Sequence, residues 1–317
     1  MSDKKIIAVM GATGAQGGGL VRAIAANPNS GFTARAITRD VNSDKAKALA
    51  TLGVEVVAAN IDDVESLKSA FSGAHGVFGV TFFWDHFDPV KETAQAKGMA
   101  DAAKAVGVKH FIWSSLEDTR NFMSLDDTRM PTLHGKYKVP HLDSKGEVDP
   151  YFAQIGLPTT VLWTSFYWEN FIYFGMGPQK GQDGNLSLVI PMGDKKLPGI
   201  AAEDIGKCAL GIFMHGDEFI GKTVGIAGDH LTGREYAEGM GAAMGKQINH
   251  VSVPFDVYRG FGFPGAEDVG NMFQFKHDFQ EQFVNVRDLN LSRKLNPELK
   301  SYSQWIKENA SRIPMPE

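Results

Sequence analysis

The chain has 317 residues, 43% of them hydrophobic and 22% charged, a balance that suits a protein with a sizeable core and excludes disordered, collagenous and fibrous classes. Thirty-two basic against 37 acidic side chains leave a formal charge of -5, which lacks the cationic footprint that direct binding to nucleic-acid phosphates requires. The one cysteine, Cys208, excludes an internal disulfide and a multi-cysteine zinc site, and it fits a reducing compartment, with the cytoplasm as the expected location.

Taken in chain order, the first apolar run spans only residues 6–10, too short for the core of a signal peptide. No run approaches the roughly 18 apolar residues of a membrane-spanning helix, so no membrane partner is expected. Further apolar runs at 33–38, 54–58, 76–81, 110–114 and 159–162 read as strands. Periodic segments at 16–27, 43–52, 64–71, 90–106 and 145–155 read as the helices between them. This alternation predicts an α/β fold, a doubly wound parallel Rossmann-type sheet.

Between residues 117 and 144 the regularity stops, and a connection that long inside a compact domain is usually functional or mobile. Its composition suggests little to bury, so residues 120–138 are expected to open locally, and to become ordered when a ligand touches the sheet edge on either side. Beyond residue 163 the pattern turns irregular. Helices are expected at 203–214 and 233–244, the second opened by Thr232 and Glu235 in capping-box spacing. The predicted organisation is a nucleotide-binding domain over 1–162 and a smaller, irregular α+β region over 163–317 that caps the open end of the sheet.

The sharpest motif follows the first strand. Gly11, Gly14 and Gly17, interleaved with Ala12, Thr13, Ala15 and Gln16, stand where a strand turns into a helix. The first glycine permits the tight turn and the second lets backbone approach a pyrophosphate. The third allows close helix packing, while the helix N-terminus offers unpaired N–H groups. The second strand ends Thr38-Arg39-Asp40. An arginine there favours the 2′-phosphate of NADP(H), whereas an acidic residue would grip the ribose of NAD. A solvated Arg39 with Asp40 on the ribose is the rival reading. Asn60, Ile61 and Asp62 after the third strand are candidates for the adenine edge, with Asp63 equally well a helix cap. Thr81, Phe82 and Phe83 close the fourth strand at the edge where ligands lie, although both phenylalanines also suit a core.

The G-x-x-G-x-x-G spacing resembles the extended and atypical short-chain dehydrogenase/reductase group. GATGAQGG, TRD, TFFW, WSSLED, HLDSKGEVDPYF, SFYWENF and FGFPGAEDVGNMFQF together resemble the NmrA-like family, especially its animal redox-sensing members. The resemblance implies NADP(H) as cofactor, with Gly11, Thr13, Gly14, Ala15, Gln16 and Gly17 at the pyrophosphate and Arg39 at the 2′-phosphate. It implies Asn60 and Ile61 near adenine, and Thr81, Phe82, Phe83, Lys145, Tyr167, Trp168, Glu169 and Asn170 toward the nicotinamide. Without it, Lys145 reads as a solvated lysine at a helix start, and Phe166 to Trp168 as core.

The Tyr-x-x-x-Lys pair of ordinary short-chain dehydrogenases is missing: Tyr137 is followed four residues later by His141, and Tyr151 by Ile155. Lys145 takes the place where isoflavone-reductase-like relatives carry a lysine, which implies a group able to protonate or polarise a carbonyl. Two readings follow. One is a regulator that changes conformation and protein-partner contacts with NADPH level. The other is an NADPH-dependent reductase of a quinone, dye or conjugated small molecule, with an aromatic pocket around Phe82, Phe83, Phe166 and Trp168. Dispersed histidines and the lack of a G-x-S-x-G elbow give no anchor to metal or hydrolase chemistry. A monomer or homodimer is expected.

Overall fold

Parallel strands covered by helices on both faces must be apolar throughout, which is why short uninterrupted apolar runs mark them. The computed structural model describes residues 4–181 and 183–316. Its first half builds β1 (Lys5–Val9), α1 (Ala15–Ala26), β2 (Phe32–Thr38), α2 (Asp44–Ala50), β3 (Glu55–Ala58), α3 (Val64–Phe71), β4 (Gly76–Gly79), α4 (Pro89–Ala105) and β5 (His110–Ser115). Then come α5 (Pro140–Gly146), α6 (Asp149–Gln154), β6 (Thr159–Trp163), β7 (Phe166–Tyr167), α7 (Asn170–Tyr173), β8 (Gln179–Lys180), β9 (Leu186–Val189), β10 (Lys196–Ile200) and α8 (Ala202–Met214). The chain finishes with β11 (Thr223–Gly225), β12 (Asp229–Thr232), α9 (Gly233–Met244), β13 (Ile248–Val251), α10 (Phe255–Arg259), α11 (Ala266–Asp278), α12 (Gln280–Asn285), α13 (Leu289–Leu295) and α14 (Tyr302–Asn309).

Seven strands form one sheet in the order β11-β6-β5-β4-β1-β2-β3, every pair parallel. This is the doubly wound Rossmann-type arrangement, and two three-stranded sheets with α9 to α14 supply the smaller α+β region. The chain does not keep to one side of residue 162 in space. Strand β11 returns to pair with β6, and α8 packs on α1 through glycines on both helices. A methyl group at Gly19 would sit 2.7 Å from Glu203 O, and one at Gly206 would run into the Leu20 backbone nitrogen.

Two sequence expectations need correction. The helix predicted at 145–155 is two helices, because Pro150 lacks an N–H and its ring collides with a continuing helical turn. Lys145 accordingly lies in the last turn of α5, not at a helix start, and it is buried. The segment after β5 is also well packed. Met123, Met130, Tyr137 and Val139 are buried. The Asp143 carboxylate accepts from Thr119 N, Thr119 Oγ1, Lys138 N and Val139 N at 2.6–3.0 Å. Burial pushes that carboxyl above its ordinary range, and the four donors hold it down. From α11, Asn271 Nδ2 donates to Pro131 O and Lys138 O, and Gln274 Nε2 to Arg129 O. The premise that residues 120–138 have little to bury is therefore overturned, and Lys138 is only 1% exposed.

Candidate functional site

In the turn after β1, Gly11 and Gly17 meet the backbone demands expected of them, and Gly14 stands at the helix N-terminus. Gly11 adopts φ +60°, a region that favours glycine. Gly14 caps α1 with no side chain over the helix end, and no acidic residue stands in the first turn, so the N–H groups and the positive end of the helix dipole stay open to an anion. A methyl at Gly17 would lie 2.5 Å from Met10 O and 2.6 Å from Gly11 O; only glycine lets α1 approach β1 this closely. Thr13 and Ala15 flank the opening. Because β4 and β2 leave β1 in opposite directions, this turn is the topological switch point of the sheet, where a dinucleotide fits with one half on each side.

On the β2–β3 side a cavity of about 360 Å³ is lined by Arg39, Ala58, Ala59, Asn60 and Ser66. Asp40 turns its carboxylate onto the Asn42 backbone nitrogen at 2.8 Å, and Arg39 stands at the cavity. Asn60 Oδ1 accepts from Asp62 N, and Asp62 accepts from Gln95 at 2.8 Å, which holds its carboxyl below the ordinary range. Asp63 caps α3 by accepting from Glu65 N and Ser66 N. Ile61 is half-buried at the same rim.

On the β4–β5–β6 side the structure builds a buried polar cluster. Lys145 Nζ lies 2.5 Å from both Thr81 Oγ1 and Glu92 Oε1, and Thr81 Oγ1 donates to the same carboxylate oxygen at 2.5 Å. The Lys145 ammonium also stands 5.4 Å from the Trp113 ring centre. Glu92 is fully buried, and its Oε2 faces His86 Nε2 at 3.4 Å. His86 Nδ1 accepts from Asp88 N, so a neutral His86 carries its proton on Nε2, toward Glu92. Gln16, in the first turn of α1, accepts from Ser114 Oγ at 2.7 Å and donates to the Tyr167 hydroxyl at 2.5 Å. Burial raises the Tyr167 phenol. Thr81, Gln16, Lys145 and Tyr167 thus converge on one stretch of the sheet's carboxyl edge.

The remaining candidates scatter. Phe82 is 56% exposed and Phe83 is buried among Trp84, Phe87 and His141. Phe166 and Trp168 belong to the C-terminal core, where Trp168 Nε1 donates to Tyr236 Oη, so the expected aromatic pocket does not form from these four. Glu169 fixes Ala202 N and Trp305 Nε1, a structural duty. Asn170 opens α7 and is half-buried. A different cavity, about 600 Å³, is lined by Phe83, Phe87, His134, Arg259, Phe263 and Asp268 among others. His141, one helical turn before Lys145, places Nδ1 2.7 Å from Oδ1 of the cavity-lining Asp268. Phe87 and His134, the two non-glycine residues with positive φ among the described residues, both line it, and such strain gathers at functional sites.

Sequence reasoning missed Glu92 and His86. Glu92 shares the buried stripe of α4 with Gln95, Ala96, Met99 and Ala103, so a carboxylate on a mostly apolar helical face was the available signal.

Behind the site, Asp149 accepts from Trp113 Nε1 and Ser115 Oγ, and burial pushes its carboxyl up to about 7. The folded state therefore holds this proton more tightly than the unfolded chain, and stability is expected to fall as pH rises from about 4 to 7, by up to about 1.4 kcal/mol per pH unit. Asp149→Asn should flatten that decline in urea-unfolding midpoints measured across the range. An unchanged slope would show that Asp149 is ionised in the folded protein.

The sequence matches the NmrA-like family model over residues 3–306. Among curated relatives, the NmrA-like family domain-containing oxidoreductase FrzB of Cladobotryum sp is 29% identical over 297 residues, covering 85% of this chain and 83% of its own. The corresponding oxidoreductase notA of Aspergillus sp. (strain MF297-2) is 30% identical over 297 residues, covering 87% and 84%. Among solved structures, NmrA, a negative transcriptional regulator, in complex with NADP superposes with a TM-score of 0.79 at 25% identity over 97% of this chain and 95% of that one. The Citrobacter sp. triphenylmethane reductase complexed with NADP(H) shares the fold, with a TM-score of 0.74 at 21% identity over 96% and 99%. A family match across nearly the whole chain, on a sheet whose switch point carries the glycine turn, establishes that this chain belongs to the NmrA-like family.

Proposed function

We propose that this protein is an NADPH-dependent reductase of a quinone, dye or conjugated small molecule. The observation that carries this reading is Lys145, buried at the carboxyl edge of the sheet, held by Thr81 and Glu92, and one helical turn from His141, which pairs with Asp268 in the wall of the aromatic cavity. The cleft fits the cofactor on its own evidence: a glycine cradle that a side chain would fill, an uncapped helix N-terminus, and Arg39 at a nucleoside-sized cavity. When bound, NADPH supplies a hydride. The residues of the chain do the rest. Residues 11–17 and Arg39 hold the phosphates, Gln16 and Tyr167 shape the inner end, and Lys145 donates a proton or polarises an acceptor oxygen. Phe83, Phe87 and Phe263 give a planar acceptor apolar walls, and closing them over it excludes water.

With no Tyr-x-x-x-Lys pair, activation of the acceptor falls to Lys145, and this directs the reading toward quinones and conjugated molecules rather than simple ketones. The test is a panel containing a quinone, a triphenylmethane dye and a conjugated carbonyl, each incubated with NADPH and followed by loss of its absorbance with product identified. Turnover of at least one is expected. No product from any of them would remove the reductase reading. A second reading, a redox-sensing regulator, draws on the likeness to NmrA and on exposed Phe82, Phe261 and Val257. Hydrogen exchange that differs between NADPH and NADP+ across these residues, without turnover, would favour it.

A further inference from the structure

The Arg39 guanidinium is already engaged: Nη1 donates to Asp85 Oδ2 at 3.0 Å. Arg39 follows β2 and Asp85 follows β4, and these strands flank β1 on either side. The ion pair therefore reaches across the groove that begins at the glycine turn, linking the two halves of the cleft. Asp85 is not on a free loop. It closes the 3-10 turn formed by residues 83–85, and its backbone nitrogen donates to Phe82 O at 3.1 Å.

We propose that Asp85 is a specificity residue, a carboxylate that competes with the 2′-phosphate of NADP(H) for Arg39 and so sets how strongly this protein distinguishes NADPH from NADH. The inference rests on the assignment of Arg39 to the 2′-phosphate. Both partners are largely exposed, at 77% and 53% of their side chains, and an ion pair so open to water contributes little stability. A phosphate with about two negative charges and several acceptor oxygens offers Arg39 a stronger, multidentate partner. Once Arg39 turns to it, Asp85 is left unpaired on a backbone turn that holds it near the phosphate, and like charges then oppose binding. NADH carries no 2′-phosphate and leaves the pair intact. Asp85 thus weakens only the cofactor that Arg39 would otherwise select.

The test compares dissociation constants of NADPH and NADH, from tryptophan fluorescence, for the native protein, Asp85→Asn, Arg39→Gln and the double variant. Both side chains are exposed, so the variants should fold. Asp85→Asn is expected to tighten NADPH by about threefold to tenfold and to leave NADH within about twofold. In the Arg39→Gln background the same substitution should change NADPH affinity by less than about twofold, since nothing remains to compete for. Equal tightening of both cofactors, no tightening of NADPH, or a full effect without Arg39 would each overturn the proposal. Arg39 is judged separately: if Arg39→Gln keeps the NADPH preference of the native protein, the 2′-phosphate assignment itself fails.

Discussion

Replacing Lys145 with Met is expected to lower the turnover number for NADPH-dependent reduction by about 10²- to 10⁴-fold, the usual contribution of a positioned proton donor. Methionine keeps an unbranched apolar stem and removes the ammonium, which stands 5.4 Å from the Trp113 ring centre. It also strips Glu92 of its cation, and Glu92 is fully buried with Oε2 lacking a hydrogen-bond partner. The single variant is therefore expected to be less stable as well. Lys145→Met/Glu92→Gln removes both charges and separates the two effects: it should recover stability without recovering turnover. NADPH affinity should change by no more than about threefold in the double variant, because the glycine turn and Arg39 are untouched. Turnover that survives in either variant would assign the proton to another group, and Tyr167 would be next to test.

The architecture was legible wherever local chemistry decides structure. Buried parallel strands show as apolar runs, and the predicted helix at 64–71 and the one capped by Thr232 and Glu235 match α3 and α9. The glycine turn was legible because Gly11 and Gly17 answer backbone demands, a positive φ and a close approach of helix to strand. What escaped depends on partners far away in sequence. Strand β11 is three residues long and begins with an exposed threonine; only its place beside β6 makes it a strand. Asp143 gave no sign of being a hub, since its four donors come from residues 119, 138 and 139 folded back upon it. Trp168 reads as core from its residue type and as a cofactor neighbour only from the resemblance, and it packs against Tyr236, Tyr302 and Trp305. Glu92 acquires its meaning only when α5 delivers Lys145 to it.

The largest stability effect is expected at Glu117, just past β5, which forms a fully buried ion pair with Arg287. Arg287 uses all of its donors: Nη1 and Nη2 reach Glu117 Oε1 and Oε2 at 2.5 and 3.0 Å, Nε and Nη2 reach Thr164 O, and Nη1 reaches Phe283 O. The guanidinium lies 3.6 Å above the Phe283 ring. This one side chain ties the C-terminal region to the carboxyl edge of the sheet. Lys276 is buried nearby, and burial and then Arg287 push its amine down to about 7. Glu117→Gln would leave the Arg287 guanidinium with no counter-charge away from water, and a loss of about 3–5 kcal/mol is expected. Adding Arg287→Met should not double that loss, because the second substitution removes the stranded charge. The pH dependence has its own sign. Between about 7 and 10.5 the unfolded chain binds a proton at Lys276 that the folded chain does not, so native stability should rise with pH across this window, and Lys276→Met should remove that rise. Urea-unfolding midpoints for the native protein, Glu117→Gln, the double variant and Lys276→Met measure all three effects. Strictly additive losses from Glu117 and Arg287 would show that the two do not act as a pair.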